Sequence, residues 1–248
     1  MTMNTSDLTN SKTLEISIVI PVYNERENLT MLDERISKSI KPLNKNYEVI
    51  LVDDGSVDGS AELIRKLQDG NPHLRLIRFG RNYGQTAAFA AGFSKARGDI
   101  IVTMDADLQD SPEEIPVLYK RLLDEKLDIL SGWKKKRYDS VLFKNIPSKL
   151  FNWAARRSSG IYLHDFNCGL KAYRKEFIAD IHLYGEMHRF IPIYAKWNGA
   201  TRITEMPVKH QPREHGVSKY GLNRILKVIL DLTVVIFLHK YGQKPIYI

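Results

Sequence analysis

Four apolar, β-branched runs recur early in the chain, each followed by a stretch long enough for a helix. This rhythm constrains the fold more than anything else in the sequence. The runs are ISIVIPVY (16–23), YEVILVDD (47–54), LRLIRFG (74–80) and DIIVTMDAD (99–107), and the helix-like stretches cover 25–40, 58–68, 85–96 and 112–125. The runs do not alternate apolar with polar residues, so they read as parallel strands covered on both faces. Two helix starts are marked: Asn24 with Glu27, and Ser111 with Glu114, stand at capping-box spacing, and Pro112 occupies a first helical position. The predicted architecture is an α/β domain with a mostly parallel central sheet flanked by helices.

Past Trp133 the rhythm weakens. A basic run, KKKRYDS (134–140), leads into a helix predicted through Leu150 and Arg156. CGLKAYR (168–174) reads as a strand, followed by a helix near Met187–Trp197 and a strand near Ala200–Val208. Leu222–Leu238 is strongly apolar but interrupted by Lys227 and Asp231, which leaves too few uninterrupted apolar residues for a bilayer span; it reads as an amphipathic helix. Residues 1–13 are polar, lack the apolar core of a signal peptide and read as a loose tail.

Charge divides along the chain. The net +8 is −5 over residues 1–128 (16 Lys+Arg, 21 Asp+Glu) and +13 over residues 129–248 (21 and 8). A basic second half suggests an anionic partner: nucleic acid, a phosphate-bearing substrate or an acidic membrane. Nucleic acid is disfavoured, because the basic residues are not interleaved with aromatics in a recognisable reading motif. One cysteine, Cys168, builds neither a disulfide framework nor a cysteine zinc site, and reads as a small buried residue in a protein of a reducing compartment.

In open parallel sheets, ligands bind beyond the carboxyl ends of the strands. Glu25, Asp53, Asp54, Asp105 and Asp107 all fall there. Capping of following helices accounts for Asp54, Ser56 and Asp58, and fits Asp110 or Ser111. Asp105–Ala106–Asp107 is different, since two carboxylates one residue apart at a buried strand end repel unless a cation sits between them. Mg²⁺ or Mn²⁺, completed by substrate phosphates and water, suits such oxygen ligands. No G-x-G-x-x-G follows the first strand and no G-x-x-x-x-G-K-[ST] occurs, which disfavours dinucleotide and P-loop sites. An aspartyl phosphatase would also place D-x-D after a strand, but Gln109 stands where Thr or Val is expected.

PVYNE (21–25), VDDGSVDGS (52–60), GRNYGQTAAFAAGF (80–93) and MDADLQDSPEEIP (104–116) together resemble a family 2 glycosyltransferase of the GT-A fold. LHDFNCGLKAYR (163–174), MHRFIP (187–192) and REHGVSKYG (213–221) narrow the likeness to the polyprenyl-phosphate glycosyltransferases, the group of dolichyl-phosphate mannose synthase and bacterial undecaprenyl-phosphate sugar transferases. The resemblance implies that Pro21, Tyr23 and Glu25 line the nucleotide pocket and that Asp53 reads the nucleobase edge. It implies that Asp105 and Asp107 meet ribose and metal, with Gln109 a further metal ligand. Asp165 falls near the acceptor phosphate and the anomeric carbon, and His188 and Arg189 on the acceptor side. Arg213, Ser218 and Lys219 match a late phosphate-binding loop. Lys134 stands where relatives often carry Arg, keeping the charge but losing the bidentate fork.

The expected reaction is a metal-assisted, inverting single displacement from a nucleotide sugar to a polyprenyl phosphate, whose oxygens need no strong general base. UDP-sugars are favoured by bacterial analogy and GDP-sugars stay open, as does a homo-oligomer. Asp107, Arg213 and Lys219 would stabilise the departing diphosphate while Asp165 orients the acceptor or steadies the oxocarbenium-like centre. The catalytic domain is expected over 14–221, with a nucleotide-sugar half (14–128) and an acceptor half (129–221). Relatives continue past a segment like KYGQKPIYI (240–248) into two transmembrane helices. Residues 222–248 are therefore expected to be a juxtamembrane segment cut before its anchor, with Arg224, Lys227, Lys240 and Lys244 facing anionic lipid at the cytoplasmic face of a bacterial inner membrane. Two alternatives stay open: a GT-A enzyme with a saccharide or protein acceptor, and a non-catalytic basic membrane-binding module.

Overall fold

The computed structural model describes residues 14–135, 152–153, 155–157, 159–183 and 185–211, with the single positions 234 and 237. Arg213, Ser218 and Lys219, the tail 1–13, and the 222–248 segment apart from Val234 and Phe237 lie outside the described residues.

The four early runs form β1 (Ile16–Val22), β2 (Tyr47–Asp53), β3 (Leu74–Arg78) and β4 (Ile100–Thr103), separated by α1 (Arg26–Ile40), α2 (Ser60–Gly70) and α3 (Gln85–Lys95). A 3₁₀ turn at Pro112–Glu114 opens α4 (Ile115–Asp124), and β5 (Ile129–Trp133), β6 (Lys171–Arg174), α5 (Ile191–Trp197) and β7 (Ile203–Pro207) follow. They build one sheet of order β3-β2-β1-β4-β6-β5-β7.

The apolar runs divide their side chains between the two faces. Ile16, Ile18 and Ile20 of β1 join Val49 and Leu51 in a core under α1 and α4, while Val19, Ile50 and Val52 point into a second core under α3 and α5. Alternate residues of a strand project to opposite faces, so a run buried on both sides must be apolar throughout. Helix α1 answers with Leu29, Leu32, Ile36 and Ile40, all at most 1% exposed, at the three- and four-residue steps that keep one face inward.

The sheet is mostly parallel as expected, with one strand direction to add and two local expectations to correct. β6 runs antiparallel to both β4 and β5, with Thr103 opposite Lys171 and Ile129 opposite Tyr173. The residues that precede the two helix starts, Glu25 and Ser111, make no side-chain capping bond. Asn24 sits at φ 52° and spends its amide oxygen on the Val57 N–H at 2.9 Å, while Asn28 reaches the Glu25 carboxylate. Asp54 caps no following helix: its two oxygens accept the N–H groups of Tyr83 and Gly84, fixing the chain just before α3. Asp58 does cap locally, accepting from Ser60, and also ties in Arg26.

Candidate active site

The sheet brings the scattered motifs to one edge. The parallel strands β1, β2 and β4 end side by side, with Val22 paired to Asp53 and Val19 to Thr103. Because β6 is antiparallel, its first residue, Lys171, lies at this same edge and delivers residues 163–170 there. β5 and β7 are parallel, so Lys134 and the residues after Pro207 arrive alongside.

Pro21, Tyr23 and Glu25 are half-buried around the end of β1. Asp53 is fully buried. Its Oδ1 accepts the Ser56 N–H at 3.1 Å, whereas Oδ2 accepts no hydrogen bond and stands 3.6 Å from Arg78 Nε. Gly55, at φ +72°, lets the chain turn beneath Arg81: a Cβ there would lie 2.4 Å from the Arg81 carbonyl carbon. The 80–84 loop thus closes directly over the 53–56 turn.

Beyond β4 the chain turns tightly through Leu108, a core residue held at φ 59°. Such a conformation is costly for a branched side chain and gathers at functional sites. It lets Asp107 Oδ1 accept the Gln109 N–H at 3.1 Å, turning the carboxylate back over its own loop. Asp105 accepts from the Gln85 amide at 2.7 Å. Although the residue keeps partial exposure, its carboxylate is enclosed, and burial with the charges of Asp107 and Asp110 pushes it up to about 7 despite Lys134 and Lys171. Desolvation is the larger cause and the neighbouring carboxylates add to it, so a cation bound there would favour the charged form. The donor set is two carboxylates and a carboxamide, oxygen ligands too few to enclose an ion; among the described residues no cluster of three or more His, Cys, Asp or Glu could hold one. This composition fits a hard divalent cation that shares its coordination with substrate phosphate.

Asp110 is not a helix cap. It is completely buried and paired with Lys134 Nζ at 2.8 Å, and its backbone forms a β-bridge with His210. Burial works against the Lys134 charge, but Asp110, Cys168 and Asp105 overcome it and hold the ammonium's pKa well above the usual lysine range. Lys134, its side chain 12% exposed, supplies positive charge to the acidic edge from within.

The Asp165 loop meets the D-x-D segment directly. Thr103 donates its hydroxyl to the Gly169 carbonyl at 2.8 Å, and a Cβ on Gly169 would fall 2.6 Å from Asp105 Oδ2. Asp165 is 2% exposed and accepts the Asn167 N–H. Lys171, also buried, donates Nζ to the carbonyls of Phe166 and Cys168. Burial lowers its pKa against the pull of Cys168, Asp165, Asp105 and Asp110. Cys168 is buried with its thiol pushed up to about 12, mainly by desolvation, which makes it an inert packing residue. His188 shares a 2.8 Å hydrogen bond with the Thr86 hydroxyl, one residue from Gln85, so the first turn of α3 touches both Asp105 and His188. Arg189 Nη2 lies 3.9 Å from Glu186.

A cavity of about 630 Å³ adjoins this loop, lined by Trp153, Arg156, Arg157, Tyr162 and His164 among others. Sequence reasoning gives Asp110 only as a helix cap and assigns no task to Gln85, Thr86 or Lys171. Lys171 carried a signal, a charge beside the apolar start of a strand, and Gln85 and Thr86 lie in the 80–93 motif, but their partners Asp105 and His188 become visible only in the fold.

The sequence model described as "Glycosyl transferase family 2" matches residues 17–181. The chain is 44% identical over 237 residues to the dodecaprenyl-phosphate galacturonate synthase of Rhizobium johnstonii, covering 94% of this chain and 70% of that protein. It is 44% identical over 219 residues to the undecaprenyl-phosphate 4-deoxy-4-formamido-L-arabinose transferase of Salmonella choleraesuis, covering 88% and 66%. The chain thus spans about two thirds of the length of these relatives. Among solved structures, the mannosyl-3-phosphoglycerate synthase of Rubrobacter xylanophilus superposes with TM-score 0.71 at 16% identity, over 93% of this chain and 75% of that one. The glucosyl-3-phosphoglycerate synthase of Mycobacterium tuberculosis, crystallised with Mn²⁺, UDP and glucosyl-3-phosphoglycerate, gives 0.66 at 20%, over 92% and 80%. At these identities the two structures speak for the fold alone.

Proposed function

Since the chain belongs to glycosyl transferase family 2, we propose that it transfers a sugar from a nucleoside-diphosphate sugar to a polyprenyl phosphate, with inversion at the anomeric carbon. The observation that carries this proposal is the contact of two motifs far apart in sequence: the backbone of the Asp165 loop packs against the Asp105 carboxylate. Donor and acceptor chemistry would then share one pocket. The relatives above are named for dodecaprenyl and undecaprenyl phosphate, and the Mycobacterium structure holds UDP.

Each side chain then has a task. Asp53 offers Oδ2 to an N–H on the nucleobase edge, with Pro21, Tyr23 and Glu25 lining the same pocket. Asp105 faces ribose and metal, and Asp107 with Gln109 would hold Mg²⁺ or Mn²⁺. When bound, that cation supplies electrostatic neutralisation of the diphosphate leaving group. The acceptor phosphate, with a second pKa near 6, is already nucleophilic at neutral pH, so no strong base is needed. Asp165 is left to orient the acceptor and stabilise positive charge at the sugar carbon, acting by fixed electrostatics. Arg213, Ser218 and Lys219 are assigned to phosphate binding; Gln211, two residues before Arg213, donates its N–H to the Gln109 carbonyl. Arg156 and Arg157 beside the exposed Trp153 and Tyr162 suit the approach of an anionic, lipid-borne group from a membrane surface. Among the described residues no helix is long and apolar enough to cross a bilayer.

A panel of UDP- and GDP-sugars, incubated with undecaprenyl phosphate and Mg²⁺ or Mn²⁺ and scored by nucleotide release, tests the proposal. Acceptor-dependent release with at least one donor, UDP-linked in the favoured case, is expected. Release that never depends on the lipid phosphate, but does depend on a saccharide or protein, would move the chain to a different acceptor class.

A further inference from the structure

Asp165 reaches the site on a stretch without regular secondary structure. A carboxylate on such a loop is useful only if its surroundings hold it in place. The residue before it is held by Glu205 on β7. Glu205 Oε2 accepts the His164 backbone N–H at 2.7 Å, and its Oε1 contacts His164 Nδ1. A carboxylate only accepts, so Nδ1 carries the proton. The imidazole also stacks on Trp133, with ring centroids 4.5 Å apart, next to Lys134.

The other side of Asp165 is bracketed by Asn152. Its Nδ2 donates to the His164 carbonyl at 2.9 Å, and its Oδ1 accepts the Phe166 N–H at 3.3 Å. Both neighbours of Asp165 are thus fixed by side chains from outside the loop, one from a helical turn and one from the far strand of the sheet. Asn152 is 6% exposed and the Glu205 side chain 12%, so these bonds are largely shielded from competing water. Both oxygens of Glu205 serve the single residue His164. An edge-strand carboxylate committed in that way does little for the sheet itself.

We propose that Glu205 and Asn152 are positioning residues for the transfer reaction, setting where the Asp165 carboxylate stands relative to the sugar carbon. The inference rests on the role given to Asp165 above. Neither residue belongs to the donor pocket, which is built by the ends of β1, β2 and β4. Their loss therefore slows the chemical step without loosening the nucleotide sugar. Displacing a reacting or charge-stabilising group by about 1 Å costs on the order of 10²-fold, and removing an outer support of a site group typically costs about 10- to 100-fold.

Steady-state kinetics of Glu205→Ala, Glu205→Gln and Asn152→Ala in the full chain test the proposal, with thermal melts alongside. Glu205→Ala and Asn152→Ala are expected to lower kcat about 10- to 100-fold while the donor KM stays within about twofold. Glu205→Gln keeps an oxygen for the His164 N–H, and its amide can donate to the other imidazole tautomer, so it recovers most of the lost rate. The proposal is overturned by wild-type kcat in the alanine variants, by a donor KM that rises in step with the loss, or by a Gln variant as impaired as the Ala one. If Glu205→Ala does not fold, Asn152→Ala and Glu205→Gln carry the same comparison. Asp165→Asn separates the two layers. Full activity there contradicts the role of Asp165 itself, whereas a slow Asp165→Asn with unimpaired Glu205 and Asn152 variants contradicts positioning alone.

Discussion

At the scale of single residues, the acidic edge divides into groups that are already satisfied and groups that are not. Asp54 has both oxygens bonded to backbone N–H groups, whereas Asp110 is neutralised by the Lys134 ion pair, its oxygens accepting no other hydrogen bond among the described residues. Asp53 keeps one buried oxygen without a hydrogen bond, and Asp105 holds its proton up to about 7. Those two are where a ligand would gain most. Asp53→Asn replaces that acceptor by a donor facing the base while preserving the bond to Ser56. The expected result is a donor KM raised about 10- to 100-fold, the cost of one mismatched buried polar contact, with kcat little changed. Asp107→Asn keeps the turn onto Gln109 and removes only the charge. Its kcat is expected to fall on the order of 10²-fold or more, with loss of Mn²⁺ binding by calorimetry and a melting temperature close to wild type.

At the scale of elements, the strands and helices of the first half were legible because burial on both faces leaves a continuous apolar run that few other structures tolerate. The antiparallel course of β6 was not legible, since strand direction is set by which neighbours the chain meets. The capping boxes failed for a related reason: Asn24 has the right spacing, but a more distant N–H, that of Val57, claims its side chain. Acids at strand ends could be found by position, while Glu205, Asn152 and Gln85 act through contacts that no local pattern encodes.

The opposite end of the sheet shows what the fold itself depends on. Glu48 on β2 is buried and accepts from Ser17, Arg75 and Arg97, joining β1, β2, β3 and the 96–98 turn. Burial alone would raise its pKa, but these bonds together hold it below the ordinary 4.5. A depressed folded-state pKa adds stability that is present above the unfolded value and is lost as pH falls through the folded one. Glu48→Gln is therefore expected to cost about 1–3 kcal/mol near neutrality. Its melting temperature should converge on wild type as pH drops below about 4. An equal gap at pH 3 and pH 7 would contradict this. Glu113, Asp58 and Asp128 are also held low, so the wild-type acid slope narrows in the variant and does not vanish.

Across the whole molecule, the −5 and +13 halves of the sequence meet on one sheet edge. The first half supplies the carboxylates that a cation would join to a diphosphate, and the second supplies Asp165, Lys171 and the arginines of the adjoining cavity. The two substrates proposed here are both anionic, so fixed positive charge must offset their repulsion before any bond can form. The central claim is that both meet in one pocket and react in a single displacement. The anomeric configuration of the product, read by NMR from a ¹³C-labelled sugar transferred to a short polyprenyl phosphate, tests that claim most directly. Single displacement gives a product of configuration opposite to the donor; retention of the donor's configuration would contradict it.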